Sequence, residues 1–198
     1  MEEHRDDIGS RMGMWIFIFT ELLLFGGLFL VYAIYRADYS AEFHTAAHEL
    51  NAFIGALNTV ILLVSSATVA MAITAVQKEN KKLALILVAI TLLMALFFLV
   101  NKYFEWGHKI HLGIYPGSEL LTKLERGELL FFGLYYFMTG LHGFHIVVGM
   151  ILLTVVFFKI KSGAINAGSF VLLENGGLYW HLVDLIWIFL FPLLYLLT

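Results

Sequence analysis

Five ionisable side chains sit where water is scarce. Glu21 lies within WIFIFTELLLFGGLFLVY, His142 and His145 within FMTGLHGFHIVVGMILL, and His181 and Asp184 within YWHLVDLIWIFLF. Such groups in hydrocarbon cost several kcal/mol unless neutralised, paired or turned toward protein, so each is a candidate functional residue. Glu21 follows Thr20 about ten residues into its stretch, roughly 14 Å deep at the helical rise. It reads either as a proton-responsive or channel-lining carboxylate or as a neutral carboxyl hydrogen-bonded to another helix. His142 and His145 are three apart and share one helix face. Together they could begin a metal site, or one could hold a haem, but a metal needs three or four ligands and no matching second pair stands elsewhere. The other reading keeps both imidazoles neutral, bonded to Glu21 or to neighbouring backbone. Glu21 and this pair fall at similar depth, so a contact between them is geometrically open. His181 and Asp184 repeat the spacing and read as an intrahelical ion pair; no nucleophile stands beside them to make a catalytic dyad. Trp180 and Trp187 flank them, and Trp180 reads as an interfacial anchor.

Other polar positions have simpler readings. Lys102 and Glu105 are one turn apart near the end of an apolar stretch, as a snorkelling pair would be. Glu128 opens the next stretch, where a carboxylate suits the positive end of a helix dipole. Gly26-Gly27, Ser65-Ser66-Ala67 and the Gly140-x-x-Gly143 spacing mark faces where helices approach closely.

The elements that must position these residues are long and apolar. Of 198 residues, 61% are hydrophobic and 14% charged, well below the quarter expected of a soluble domain. Mean hydropathy is +0.86. A span needs about 20 apolar residues, and the pattern predicts spans near 12–35, 53–76, 83–106, 129–158 and 176–197. Period-2 alternation is absent, which argues against a β-barrel. The expected fold is therefore all-α, a bundle of five transmembrane helices in a single membrane domain over 1–198. The fourth span exceeds a perpendicular crossing and is expected to tilt or project. Pro192 removes one helical hydrogen bond late in the fifth, where either a kink or a frayed end would accommodate it. The opening MEEHRDDIGSR lacks the basic start and short apolar core of a signal peptide, so the first span is expected to stay as an anchor. Cysteine is absent, which excludes disulfides and thiolate metal sites. A net charge of −3 without a basic run gives no reason to expect nucleic acid.

Loop charge sets the expected direction. One side holds Arg5, Arg11, Lys78, Lys81, Lys82, Lys159 and Lys161; the other holds Arg36, Lys102, Lys109, Lys123 and Arg126. The QKENKK turn carries most of the bias, which places the N-terminus in the cytoplasm and the C-terminus outside. The longest connection, Gly107 to Gly127, contains Pro116-Gly117 and mixed charges and reads as a solvated linker in preference to a surface contact.

Taken in order, these pieces resemble subunit III of the haem–copper oxidases, the cytochrome c oxidase subunit III family. GMWIFIFTELLLFGGLFLVYAIYR looks like the family segment whose buried Glu follows Ser or Thr, and Glu21 matches that Glu. LNTVILLVSSATVAMA is similar to the next helix, and Tyr103-Phe104-Glu105-Trp106 resembles the family's Glu-Tyr/Trp element. TGLHGFHIVVG is close to its paired-His helix, matched by His142 and His145, and YWHLVDLIWIFLF matches its C-terminal signature through His181, Asp184 and Trp187. The matches run colinearly from about residue 12 to the end. The chain looks like the short five-helix bacterial type, without the first two helices of seven-helix members. Glu128 stands where relatives often have Asp.

The resemblance implies an accessory, non-catalytic subunit of a bacterial respiratory oxidase. The whole complex reduces oxygen to water and translocates protons in aerobic electron transport. Haem and copper belong to partner subunits I and II, and this chain holds no redox cofactor. It would support subunit I, keep proton uptake rapid, limit turnover-linked inactivation and hold phospholipid; an oxygen route inward is also proposed for the family. Further small subunits are conceivable partners, and the bacterial inner membrane is the expected location. The expected polar cluster is Glu21 with His142 or His145; Glu105, Glu128, His181, Asp184 and Trp187 are structural signature positions. The alternatives are a related accessory subunit of nitric oxide reductase or of a quinol oxidase, a His-ligated membrane cytochrome, and a transporter. The transporter reading lacks the usual inverted repeats.

Overall fold

The computed structural model describes residues 6–196. Arg5, counted in the loop-charge bias, and the last residue of the span expected to end at 197 lie outside them. Among the described residues six α-helices follow in order: α1 (Asp7–Asp38), α2 (Ser40–His48), α3 (Ala52–Gln77), α4 (Lys81–His111), α5 (Arg126–Ser162) and α6 (Val171–Tyr195). Five of them are long and apolar enough to cross a membrane, the exception being α2. Each contains or closely overlaps an expected span, with ends extended by polar turns that apolarity alone does not reveal.

Local chemistry explains the ends. The Asp6 carboxylate accepts from Gly9 N, Asn51 Oδ1 from Phe53 N and Ile54 N, and Asn80 Oδ1 from Leu83 N. These side chains serve N–H groups that the first helical turn leaves unpaired. At the far end of α5, Gly163 adopts φ 86°, a left-handed stop that costs glycine little. Helix α5 has 37 residues, about 55 Å at the helical rise, and so exceeds a hydrocarbon core of about 30 Å.

Helix α6 is the centre. It packs against α1, α3 and α5, touches α2, and α4 closes the bundle by pairing with α3 and α5. Trp180, Trp187, Leu190 and Leu194 are fully enclosed on it. The outside of the bundle is apolar: Trp15, Phe19, Phe53, Phe97, Phe104, Phe144 and Phe158 are all exposed. An apolar exterior around a core that also contains polar groups is what a lipid-facing bundle requires.

Of the glycines singled out from sequence, Gly140 marks a close approach, a Cβ there standing 3.2 Å from the Trp106 ring, and closer approaches occur at others. A Cβ at Gly149 would stand 2.8 Å from the Trp180 ring, and one at Gly177 2.9 Å from Ile73. Gly26, Gly27 and Gly143 meet nothing within 4 Å and mark no contact inside this chain.

Two further local expectations are corrected, one segment without an expectation proves helical, and one alternative is decided. Trp180 is not an interfacial anchor: it is fully buried, and its Nε1 donates to Ser65 Oγ at 3.0 Å. The connection after α4 is not simply a solvated linker. Helix α4 runs on to His111, Leu121–Lys123 forms a 3-10 turn, and Ser118 and Leu121 are buried. Between the first two spans, α2 lays Phe43, Ala46 and Ala47 onto the bundle. Finally, α6 does not fray at Pro192; it continues to Tyr195, and Tyr32 Oη donates to the Leu193 carbonyl in its last turn.

Candidate functional site: two buried polar clusters

The first cluster joins α1 to α5. Position 21 faces α5, where His145 Nε2 stands 3.0 Å from Glu21 Oε2. Both side chains are largely enclosed, at 8% and 15% exposure for His145 and Glu21. The other ring nitrogen, Nδ1, lies 2.8 Å from the Leu141 carbonyl one turn earlier. A carbonyl oxygen can only accept, so Nδ1 carries a hydrogen. One proton is then left for the Nε2–Oε2 contact. It sits on the carboxyl, facing a neutral imidazole, or on the ring, facing a carboxylate. Either arrangement is neutral overall, which is how a carboxyl can stand inside an apolar span at tolerable cost. Phe25 meets the His145 ring edge-on, and Tyr179 Oη donates to the His145 carbonyl at 3.0 Å, fixing the turn from α6.

His142 does not join this pair. Three residues earlier, its ring turns inward, fully buried, stacks on Trp187 at 5.2 Å and meets the edge of Phe98 at 5.6 Å. Neither ring nitrogen has a hydrogen-bond partner among the described residues. The paired histidines therefore separate into a polar contact and a core aromatic. Trp187 itself donates from Nε1 to Thr59 Oγ1 at 3.0 Å.

The second cluster is one that sequence reasoning treated as a surface pair. Lys102 and Glu105 do not snorkel; they are buried, at 7% and 8% exposure. Lys102 Nζ lies 3.2 Å from Glu105 Oε2 and donates to Tyr195 Oη. Tyr135 and Tyr195 both donate to Glu105 Oε1. The ammonium also faces the rings of Trp187 and Tyr135 at 4.9 and 5.3 Å. Helices α4, α5 and α6 thus meet around a charge-balanced, hydrogen-bonded knot. A Tyr near the start of the fourth span and another at the end of the fifth, opposite Lys102 and Glu105, were the available signal.

The remaining signature residues are dispersed. His181 Nδ1 pairs with Ser66 Oγ across α3 and α6 at 2.5 Å and makes no ion pair with Asp184, correcting the intrahelical reading. Asp184 is buried near Ser66, and its oxygens have no geometrically sound hydrogen-bond partner among the described residues. Glu128 stands in the first turn of α5, where its sequence position placed it. Other unanticipated cross-helix bonds are Asn101 to Asn58 at 2.8 Å and Thr68 with Thr91 at 2.8 Å. Among the described residues, no three His, Cys, Asp or Glu side chains converge as a metal site.

Comparison with known proteins gives these clusters a setting. Residues 3–198 match the family model for cytochrome c oxidase subunit III. The chain is 30% identical to the probable quinol oxidase subunit 3 of Staphylococcus saprophyticus over 94% of its own length and 88% of that protein. It is 32% identical to the cytochrome c oxidase subunit 3 of Thermostichus vulcanus, covering 94% and 87%. A heme-copper oxidase subunit I+III from Aeropyrum pernix is 32% identical over 94% of this chain, which spans only 22% of that longer protein. With the match covering nearly the whole chain and five membrane-spanning helices in place, the chain belongs to the cytochrome c oxidase subunit III family of haem–copper oxidase membrane subunits.

Proposed function

We propose that this chain is the accessory subunit III of a bacterial respiratory haem–copper oxidase. In this reading it is a single membrane domain of the inner membrane, with the N-terminus in the cytoplasm and the C-terminus outside. It supports catalytic subunit I beside subunit II, holds phospholipid and carries no redox cofactor of its own. The haem and copper that reduce oxygen belong to its partners.

The observation that carries the site assignment is the Glu21–His145 contact at 3.0 Å. It joins two helices inside apolar spans, and in this reading the two side chains share one proton. We assign the pair a proton-sensitive supporting role near the catalytic subunit, without a catalytic step. The alternative of a His-ligated cytochrome is disfavoured by geometry. Both ring nitrogens of His145 are engaged, and His142 is packed between Trp187 and Phe98, against which a macrocycle would have to compete. Cytochrome c oxidase and quinol oxidase remain equal readings of the electron donor, since relatives of both names match this chain about equally well. Nothing observed favours the nitric oxide reductase alternative.

A hydrophobic carbodiimide, which attacks protonated carboxyls in lipid, tests the site. Labelling of the intact complex is expected at Glu21 and lost in Glu21→Gln. An unlabelled Glu21 in intact membranes would argue that the proton resides on His145.

A further inference from the structure

Helix α2 carries an arrangement that the oxidase reading does not use. Its residues His44 and His48 are one turn apart, and their rings stand 4.5 Å centre to centre at an interplanar angle of 73°. Both side chains are exposed, whereas Phe43, Ala46 and Ala47 on the opposite face are buried. That burial fixes the rotation of the helix. The T-shaped contacts of Phe43 with Tyr32 and Phe131 lock it onto α1 and α5. The last turn is held as well, because buried Lys109 donates from Nζ to the Glu49 carbonyl at 2.9 Å. The two imidazoles are therefore presented outward from a rigid base, and much of the ordering cost of bringing them together is already met.

We propose that His44 and His48 form a two-imidazole chelate for a borderline divalent transition-metal cation, of the Zn2+, Cu2+ or Ni2+ class. Residues at i and i+4 face one another on a helix, and neutral imidazole suits these metals. A metal bonded about 2.0–2.1 Å from each nitrogen lies about 3.2 Å from each ring centre. Two rings bonded at a right angle, the tetragonal geometry of Cu2+ and Ni2+, then stand about 4.5 Å apart, and at the tetrahedral angle of Zn2+ about 5.2 Å; the 4.5 Å between His44 and His48 equals the first and needs only a small ring movement for the second. Water completes the coordination, because among the described residues no third His, Cys, Asp or Glu converges there. The position in the last turn of α2 adds a favourable interaction between the cation and the negative end of the helix. The site is an open chelate on the surface of this chain.

Zinc binding to the purified full complex tests this. Zn2+ stoichiometry is measured by equilibrium dialysis for the parent protein, His44→Gln, His48→Gln and the double variant, with His108→Gln as control. Each single variant is expected to lose the same one equivalent, the double variant no more, and the control none. In parallel, Zn2+ should protect both histidines from diethylpyrocarbonate, read by peptide mass spectrometry, and protection of His44 should vanish in His48→Gln. Unchanged zinc stoichiometry in His48→Gln, or protection of His44 that survives it, overturns the proposal. Because both side chains are exposed, neither substitution threatens the fold, and oxidase activity is not the readout.

Discussion

At Glu21 the chemistry reduces to the position of one proton. The Leu141 carbonyl claims the Nδ1 hydrogen of His145, so the carboxyl and Nε2 share the other. A protonated carboxyl gives an infrared carbonyl band that Glu21→Gln removes; its absence from the parent protein would place the proton on the ring. Lys102 and Glu105 differ in kind, since several donors and three rings surround them. Lys102→Met alone strands a buried carboxylate and should cost about 3–5 kcal/mol in reversible unfolding from detergent. Lys102→Met with Glu105→Gln should recover most of that loss. A double variant as unstable as the single one would mean that packing, rather than the charge pair, holds the three helices together.

Among helices, the decisive feature is how closely backbones approach. Gly149 and Gly177 put α6 hard against α5 and α3, while a Cβ at Gly26 or Gly27 would meet nothing within 4 Å. Gly149→Val should therefore destabilise the protein by about 1–3 kcal/mol through overpacking of Trp180. Gly26→Ala should leave the isolated chain's thermal unfolding unchanged. A loss of stability at Gly26 only in the assembled oxidase would locate a partner on that face of α1. Thr68 with Thr91, Asn58 with Asn101 and Ser66 with His181 add polar bonds between helices. Such bonds contribute about 0.6 kcal/mol each on average in membranes, so they select the pairing more than they drive it.

For the whole molecule, the proposed five crossings put the two ends of the bundle on opposite sides of the membrane. Reporter fusions should show a cytoplasmic N-terminus and an external C-terminus; the reverse would overturn the loop-charge argument. Removing the chain should leave the oxidase's haem spectrum intact while turnover decays faster. Loss of the haem signal from otherwise folded subunit I would contradict an accessory role. These outcomes concern the assembly and do not depend on whether the carboxyl or the imidazole holds the proton within the Glu21–His145 pair.

Apolar length was enough to locate the five helices among the described residues that are able to cross a membrane, because a span must satisfy its backbone internally over a set thickness. The order of Glu21, the paired histidines and the final His-Asp-Trp signature was enough to suggest the family, which the match over 3–198 then showed. Partner choice was not legible. His142 and His145 share a spacing and a local motif, yet one stacks on Trp187 and the other bonds Glu21, because neighbouring helices present different groups to each. Likewise Lys102 and Glu105 read as surface residues until Tyr135 and Tyr195 arrive from α5 and α6 to enclose them. Helix periodicity orients a side chain on its own helix; what it meets is decided by rotation and depth of the next one, which only the packed bundle sets.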